Sequence, residues 1–511
     1  MDNSTDNRRI AKNTILLYIR MVVMMLISFY TTRVILKALG VDDYGINSVV
    51  GVLVSTFSLI SSSLSGATSR FITYGLGKNN SEELQKTFSS AVNINIILAI
   101  VVIIAIETVG VWFLNNRMVI APERLYAANW VLQCSTITFA IGLLSVPYNA
   151  SIIAHEKMTV FAYMTIFDAI AKLAIAIGIK YYGGDKLILF AVLNILPIII
   201  SQIIYWQYCK HKFAECTYKR VWDEKIFKEI SGFAMWNFIG CTAGIMKDNG
   251  VNIAINIFTN TAVNAARGLA MQVNGILWRF IQNFTIALNP QIIKEYAAGN
   301  LARMHKLIFT GTRLSYFMFM LLSIPIFFEI KSILHLWLGE SPAHTVAFTR
   351  LAIILTLAEI VSQTLITAQS ATGKIKNYQI VVGGILLLNF PISYLLLYWG
   401  MMPEVTMIVA IVISQICLVA RLYFLRTMVQ LPVAEFIKRV YLNVILVTMV
   451  SAIVPYICYT MLQPSILRFI LLSALSVASS AVCIYYIGCN REERKIIATT
   501  LAKVKRRIVR L

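Results

Sequence analysis

Charged residues are scarce in this chain of 511 residues, at 14% of the sequence against 58% for hydrophobic residues. A soluble globular protein carries roughly 25% charged residues, so the deficit excludes that class. Many apolar runs reach the ~20 residues that a helix needs to cross a bilayer. The alternating ten-residue segments of a transmembrane β-barrel are absent. The sequence therefore predicts an all-α polytopic membrane protein.

Signatures of catalysis are also missing. The sequence has no G-x-S-x-G, H-E-x-x-H or P-loop motif and no Asp-rich cluster for diphosphate–metal chemistry. Cys209, His211 and Cys216 share one loop, but their spacing fits no zinc site. We expect a protein that is not an enzyme, that uses no metal or cofactor, and whose eight cysteines are free thiols.

Acidic residues are few: 24 Asp and Glu stand against 45 Lys and Arg, which gives a net charge of +21. The excess does not indicate a nucleic-acid partner, because the basic residues concentrate in alternate loops between the apolar runs. Thirty of them fall on one side of the predicted membrane and eight on the other. By the positive-inside rule, the first side is cytoplasmic and includes both termini.

Fourteen candidate spans follow from the apolar runs. They cover about 13–37, 45–67, 88–114, 127–149, 158–180, 187–208, 230–257, 263–288, 308–334, 347–369, 378–398, 405–425, 440–461 and 466–488. The first run resembles a signal peptide, but it contains Arg20 and lacks an A-x-A cleavage site, so we expect a retained helix.

The spans group into predicted domains. These are a first lobe at 1–208, a basic cytoplasmic linker at 209–228, a second lobe at 229–428, two further spans at 429–490 and a basic tail at 491–511. Apolar residues recur in the tail at helical spacing, which is typical of an interfacial helix on an anionic leaflet. A solvated tail that only fixes the topology is the alternative.

The two lobes look related. Tyr74, Gly77 and Lys86 after the second span match Tyr296, Gly299 and Lys306 after the eighth. His155-Glu156-Lys157 after the fourth span corresponds to Thr372-Gly373-Lys374 after the tenth, again at an offset near 220 residues. Six spans separate the matched positions, and six is even, so the repeats are parallel. We therefore predict two six-helix lobes related by a pseudo-two-fold axis along the membrane normal, with two extra C-terminal helices.

Charged and polar residues inside the seventh and eighth spans indicate a substrate path. An ionisable group at membrane depth is costly and usually faces a water-filled cavity or a partner. The eighth span is polar over about half of its circumference at ~100° per residue, which is typical of a cavity wall. The predicted binding residues here are Lys247, Arg267, Gln272, Asn274, Trp278, Arg279, Gln282 and Asn283.

Other ionisable residues within spans have competing interpretations. Arg20 is a candidate cavity cation, although a snorkelling or salt-bridged arginine is the alternative. Asp248 can neutralise Lys247 or serve ion coupling, and Glu107 and Glu359 are either buried and protonated or proton-relay groups. Asp168 and Lys172 stand four residues apart and are expected to form a structural ion pair.

Several short motifs resemble the polysaccharide (O-antigen type) flippases of the MATE-like exporter superfamily. They are Asn13-Thr14 with Arg20, Ala38-Leu39-Gly40, Tyr44-Gly45, a second span ending in Arg70, Asn264-Ala265-Ala266-Arg267-Gly268, Asn289-Pro290-Gln291 and Ala371-Thr372-Gly373-Lys374. The resemblance covers nearly the whole chain. It implies two lobes around a cavity lined by spans one, two, seven and eight.

The resemblance also implies a function. Such proteins lie in the bacterial inner membrane and move an undecaprenyl-diphosphate-linked oligosaccharide from its cytoplasmic to its periplasmic leaflet by alternating access. A glycan polymerase is the protein partner that the resemblance implies. Arg20, Lys247, Arg267 and Arg279 match the cationic cavity positions in kind and region, and Asp248 and Glu359 would couple transport to H⁺ or Na⁺. The main alternative is a MATE-like multidrug exporter driven by Na⁺ or H⁺. A membrane-embedded glycosyltransferase or polymerase is the third.

Overall fold

The computed structural model describes residues 3–55, 57–78, 80–116, 118, 120–219, 223–259, 261–338, 342–490 and 493–494. All regular secondary structure in these ranges is helical. The α-helices are α1 Asn3–Leu39, α2 Val41–Ser55, α3 Ser58–Lys78, α4 Ser81–Ala105, α5 Val111–Asn116, α6 Leu125–Ala154, α7 Met158–Gly178, α8 Lys186–Leu193, α9 Ile195–Lys212, α10 Glu224–Phe258, α11 Thr261–Ala297, α12 Leu301–Leu338, α13 Thr345–Ile360, α14 Gln363–Thr372, α15 Lys376–Leu387, α16 Asn389–Tyr398, α17 Val405–Met428, α18 Val433–Phe436, α19 Leu442–Met461 and α20 Ile466–Cys483.

Eleven helical segments in the described residues are long and apolar enough to cross a bilayer. The remaining predicted spans correspond to α2 with α3, to α10 and to α11, which are long but richer in glycine, serine, amides and charge. The predicted fold class is confirmed, and the chain is a multi-pass helical membrane protein. The second predicted span is not one helix but two, because α2 ends at Ser55 and α3 begins at Ser58.

The helices form two compact units that do not follow the chain continuously. The first unit comprises Met1–Thr242, Ile286–Asn300 and Gly373–Gln379, and the second comprises Ala243–Thr285, Leu301–Thr372 and Ile380–Leu511. Both α10 and α11 therefore contribute residues to each unit. The lobe and linker boundaries expected from sequence, at 208 and 229, stay a prediction.

Equivalent contacts inside the two units support the internal repeat. In the first unit, Arg124 Nη1 lies 2.7 Å from Asp185 Oδ2 and also pairs with Asp43. In the second unit, His344 Nδ1 lies 2.6 Å from Glu404 Oε1. His344 and Glu404 follow Arg124 and Asp185 by about the same offset that relates the repeat motifs. Each pair joins the beginnings of two spans on the predicted outer side.

Backbone conformation repeats in the same way. Glu156 and Gly373, which the sequence comparison made equivalent, both have positive φ angles, of 59° and 74°. Each residue lies just after the end of a helix on the predicted cytoplasmic side, α6 for Glu156 and α14 for Gly373. Positive φ is uncommon for a residue other than glycine, so its presence at Glu156, at the position that matches Gly373, supports the repeat assignment.

The two extra C-terminal spans belong to the second unit and pack on α12. Both α19 and α20 contact α12, and Arg468 Nε lies 2.8 Å from Glu329 Oε1. These two side chains are 8% and 0% exposed, so the ion pair is enclosed. A charge this deep is tolerated only with a partner, and the pair therefore fixes α20 against α12.

Two smaller predictions are confirmed, and a third lies outside the described residues. Lys172 Nζ lies 2.8 Å from Asp168 Oδ2, and all eight cysteines are free thiols. The predicted interfacial helix at 491–511 lies beyond the described part of the chain, apart from residues 493 and 494.

Candidate functional site

Four of the sequence-predicted ionisable residues meet in the second unit. Lys247 Nζ on α10 lies 3.2 Å from Glu359 Oε1 on α13 and 3.9 Å from Asp248 Oδ1. Arg267 Nη2 on α11 lies 3.7 Å from the same Asp248 oxygen. We call these residues the charge quartet. Its two cations and two carboxylates balance, so it is a paired cluster rather than a cationic patch.

The quartet has a buried side and an open side. The side chains of Lys247 and Arg267 are 10% and 5% exposed, whereas those of Glu359 and Asp248 are 35% and 45% exposed. The cations therefore lie behind the carboxylates. A ligand that approaches from solvent meets the carboxylates first and must displace them to reach either cation.

Amide side chains complete the surroundings of Arg267. Its Nη1 donates to Asn252 Oδ1, while its buried Nε has no hydrogen-bond partner. Asn264 Nδ2 donates to the backbone oxygen of Asn252 at 3.2 Å. Asn252 was missed at the sequence level, although it stands four residues after Asp248 and shares its helix face. That spacing is the signal that could have found it.

A glycine brings α10 close enough to its neighbour to hold this geometry. A Cβ at Gly250 would lie 2.8 Å from a ring carbon of Phe390 on α16. Any larger residue would push the helices apart, because real Cβ atoms do not approach so closely. Beyond it, Phe258 packs edge-on against Tyr394 with 4.8 Å between ring centroids. The outer half of α10 is thus seated on α16.

The polar half of α11 divides into two stripes in the structure. One stripe is buried: Asn274 Nδ2 donates to Thr356 Oγ1 at 2.7 Å, and Thr356 Oγ1 lies 2.9 Å from Asn274 Oδ1. Asn283 is also buried, and Trp278 is half-buried. Thr356 was not predicted, because nothing in its own sequence context marks it as the partner of an amide on another helix.

The second stripe of α11 is open, and we call it the exposed polar stripe. It consists of Gly268, Gln272, Gly275, Arg279 and Gln282. A Cβ at either glycine would meet nothing within 4 Å. Among the described residues, no carboxylate forms an ion pair with Arg279. The stripe offers carboxamides, bare backbone and one cation to a ligand.

Arg20 stands in the first unit, on α1. Its guanidinium carbon lies 4.7 Å from the ring centroid of Phe161. Its Nε and Nη1 are buried without a hydrogen-bond partner. Leaving two guanidinium N–H groups without an acceptor in a partly buried position costs free energy of folding. An anionic ligand would supply the missing acceptors.

Geometry thus separates the predicted site residues into groups. Lys247, Asp248, Arg267 and Glu359 come together, whereas Arg279 lies twelve residues from Arg267, or about 18 Å along the helix axis. Arg20 belongs to the other unit. Chemically, the open groups suit a ligand that carries an anionic group and hydroxyls, while the quartet's outer edge suits a cation.

Solved structures with a similar fold are transporters. A MATE in complex with MaD3S superposes with a TM-score of 0.69 and 13% identity, over 85% of this chain and 97% of that one. An outward-facing multidrug resistance MATE transporter of the MOP superfamily gives 0.70 and 12%, over 84% and 96%. A MOP superfamily transporter from Pyrococcus furiosus, described as having a binding pocket of reverse polarity that suggests a different function, gives 0.68 and 12%, over 84% and 96%.

Sequence comparison adds nothing to this likeness. No protein-family model and no curated protein sequence matches the chain. The structural neighbours are membrane transporters, and at 12–13% identity they establish the architecture alone. The chain has the helical fold of the MATE and MOP superfamily transporters.

Proposed function

We propose that the protein is a flippase that moves undecaprenyl-diphosphate-linked oligosaccharide from the cytoplasmic to the periplasmic leaflet of the inner membrane by alternating access. The observation that carries the proposal is the exposed polar stripe of α11. Gly268, Gln272, Gly275, Arg279 and Gln282 repeat at helical spacing on a helix long enough to cross the bilayer. Lipid would not tolerate such a surface, so the stripe must face water and a polar ligand.

The chemistry of the stripe fits the two parts of this substrate. A diphosphate is held best by cations in a site of low dielectric constant, where charge-assisted hydrogen bonds are strong. Neither Arg279 nor Arg20 has a carboxylate partner among the described residues, so either arginine is available to bind a phosphate group. The oligosaccharide needs amide donors and acceptors, which Gln272 and Gln282 supply.

The remaining predicted binding residues take supporting roles in this proposal. Lys247 and Arg267 supply positive charge behind the carboxylates, and Asn274 holds α11 against α13 through Thr356. Asn283 adds a second buried amide on α11. Trp278 is half-buried next to the stripe and offers an apolar face to a sugar ring. The polyprenyl tail stays in the bilayer while the head group crosses. A glycan polymerase on the periplasmic side is the partner that would consume the product.

The open carboxylates of the quartet favour a second candidate function. Asp248 and Glu359 are 45% and 35% exposed, and half-open carboxylates are the groups that bind Na⁺, H⁺ or an organic cation. They can couple glycan-lipid transport to an ion gradient. They can equally serve a MATE-like multidrug exporter. The P. furiosus transporter of similar fold, with its reverse-polarity pocket, supports the view that this architecture accommodates pockets of different charge.

Deletion of the gene separates the two candidates. For a flippase, lipid-linked oligosaccharide should accumulate on the cytoplasmic leaflet and clear when the wild-type gene returns. The matched variant is Arg279→Gln, which keeps a long polar side chain but removes the charge, and it should restore clearance poorly. If no lipid-linked oligosaccharide accumulates and the deletion strain becomes sensitive to cationic drugs, the exporter is correct and the flippase is not.

A further inference from the structure

Glu107 places a carboxylate on a surface that is otherwise apolar. It stands on the π-helical turn Ile106–Gly110, which continues α4. Its side chain is exposed, so the interpretation of Glu107 as a buried carboxyl is wrong. Around it, Ile104 and Val109 on the same segment and Ile137 on α6 expose large apolar side chains. Such a surface is typical of contact with hydrocarbon, where a charged group is costly.

Exposed aromatic side chains mark the depth of this carboxylate. They are Trp112, five residues after Glu107, and Tyr126 and Trp130 on α6. Trp and Tyr are enriched at the level of the lipid head groups. At ~1.5 Å per residue, Glu107 lies roughly 7 Å from Trp112 along the helix axis, on the side of the membrane centre. The carboxylate therefore lies at hydrocarbon depth, below the predicted outer surface.

Two hydrogen-bonded pairs join this segment to α6. In the outer pair, Asn115 Nδ2 donates to Asn129 Oδ1 at 3.2 Å, and Asn129 Nδ2 donates to Asn115 Oδ1 at 3.0 Å. In the deeper pair, Gln133 Nε2 donates to Glu107 Oε2 at 3.0 Å. The outer pair thus closes on itself. The deeper pair leaves two acceptors, Glu107 Oε1 and Gln133 Oε1, without a donor among the described residues.

The backbone at Glu107 is a second, independent sign of a site. The Val111 amide donates to the Ile106 carbonyl, five residues earlier. Thr108 Oγ1 donates to the Ile104 carbonyl at 2.7 Å, so a side chain serves the backbone beside the turn. Single π-turns within helices are rare and occur frequently at functional sites. Here the turn coincides with the exposed carboxylate.

Other carboxylates well inside the predicted spans have a basic partner within this chain. They are Asp168 with Lys172, Asp248 with Lys247 and Arg267, Glu359 with Lys247, and Glu329 with Arg468. Among the described residues, no basic side chain forms an ion pair with Glu107. The contrast indicates that the cation for Glu107 comes from another molecule.

The chemistry of the deeper pair favours one kind of partner. Symmetric pairing with a second copy would bring two carboxylates together, and each copy would again offer acceptors without a cation. A lipid amine lies at the head-group level, roughly 7 Å above Glu107. A Lys or Arg side chain carries only donors, and on a helix that crosses the membrane it can lie at the depth of the carboxylate.

We propose that the surface formed by Glu107, Gln133, Ile104, Val109 and Ile137 binds a transmembrane helix of another membrane protein. That helix carries a Lys or Arg in its outer half, which pairs with Glu107 and donates to the two open oxygens. Its apolar side chains pack on the surrounding isoleucine and valine. The surface lies entirely within the first unit, and the inference is independent of what the protein transports.

Photo-cross-linking in intact cells tests the surface, with benzoylphenylalanine in place of Ile104. We expect an adduct with a different membrane protein, on a transmembrane segment that has a Lys or Arg in its outer half. Adding Glu107→Lys should lower the adduct yield at least about tenfold, and changing the partner's basic residue to Glu should restore it. The matched control is Asp168→Asn, at a carboxylate that Lys172 already pairs, and it should leave the yield unchanged. An adduct only with lipid or with a second copy, no adduct, or an adduct indifferent to Glu107 would overturn the proposal.

A synthetic helix tests the same surface with a defined probe. The peptide has about 20 Leu and Ala residues, an outer Trp and one Lys five residues deeper; its control has Leu in place of Lys. By energy transfer in phosphatidylcholine vesicles, the Lys peptide should bind the wild-type protein roughly tenfold more tightly than its control. Glu107→Gln, which makes the deeper pair an amide pair like the outer one, should abolish that difference. Equal binding of both peptides contradicts the proposal, and displacement of the Lys peptide by phosphatidylethanolamine would assign the site to a lipid amine instead.

Discussion

The charge quartet of the second unit and Arg20 of the first unit hold their cations in opposite ways. In the second unit, Lys247 and Arg267 lie beside Asp248 and Glu359. In the first unit, Arg20 stands against Phe161 with two buried guanidinium nitrogens that have no hydrogen-bond partner. A charged residue within a span therefore does not by itself indicate a binding site. A paired cation is already satisfied and can be structural, whereas an unpaired cation needs a ligand to complete it.

The largest effect on stability should come from a cation that is paired and enclosed. Arg468→Met leaves Glu329, which is 0% exposed, without its partner. We expect the free energy of unfolding to fall by about 3–5 kcal/mol, measured by denaturant titration in detergent. The control is Arg439→Met, which removes an exposed pair with Glu435 and should cost at most ~1 kcal/mol. Equal losses of unfolding free energy in the two variants would show that burial of the ion pair does not determine its contribution to stability.

An intermediate effect is expected where the pair is half-open. Lys247→Met leaves Glu359 and Asp248 partly solvated, so the loss should be about 1–3 kcal/mol. Adding Glu359→Gln should recover part of that loss, because the second substitution removes the carboxylate that was left behind. The double-mutant cycle in the same titration measures the coupling. If the two losses simply add, Lys247 and Glu359 do not stabilise each other.

Arg20 should show the reverse pattern: a small change in stability and a large change in transport. Arg20→Ala removes no ion pair, but it removes a charge-assisted contact to the proposed diphosphate, worth about 1.5–3 kcal/mol. That energy corresponds to a loss of roughly 10- to 100-fold in glycan-lipid clearance. Arg20→Lys keeps the charge and should retain most of the rate. Clearance by Arg20→Ala at the wild-type rate would exclude this residue from the site.

The smallest effect is expected for Asp185, in the ion pair with Arg124 on the predicted outer side. Burial raises the pKa of the Asp185 carboxyl, but hydrogen bonds from Arg124 and from the Ile188 and Leu187 amides outweigh it and leave that pKa below its usual range. Folding is therefore favoured by ionised Asp185 above the ordinary aspartate pKa of about 3.9. This contribution disappears as the pH falls through the lowered value. In a plot of Tm against pH, Asp185→Asn should slightly reduce the fall of Tm at acid pH. The control is Glu123→Gln, at an acidic residue for which no ion pair is described, and it should leave that plot unchanged.

The sequence predicted the elements better than their partners. Apolar runs located the spans, and the motif offset near 220 residues paired Glu156 with Gly373, which both have positive φ angles. Helical spacing also identified the polar half of α11. Spacing gives the direction of a side chain but not its neighbour, however. The Lys247–Glu359 contact crosses 112 residues, and the Asn274–Thr356 pair is likewise made by packing between helices.

Pairing changes the interpretation of the candidate site for the same reason. From sequence, Arg20, Lys247, Arg267 and Arg279 form one cationic set. In the structure, two of them share carboxylates and two do not. The division depends on which helix packs against α10 and α11. The local periodicity of either helix does not predict tertiary contacts of that kind.

The polarity of α10 and α11 has a consequence for how the protein is made. These two helices are not among the eleven that qualify as spans by hydropathy, and charged residues at mid-helix oppose entry into lipid by about 2.5–3.5 kcal/mol each on translocon scales. We expect that neither helix enters the lipid by itself. The pair has to stay beside the translocon until α12 and α13 emerge, because α13 carries Glu359 and Thr356, the partners that neutralise Lys247 and satisfy Asn274. In a nascent chain stalled near residue 300, the two helices that carry most of the proposed binding residues would thus also be difficult to insert into lipid.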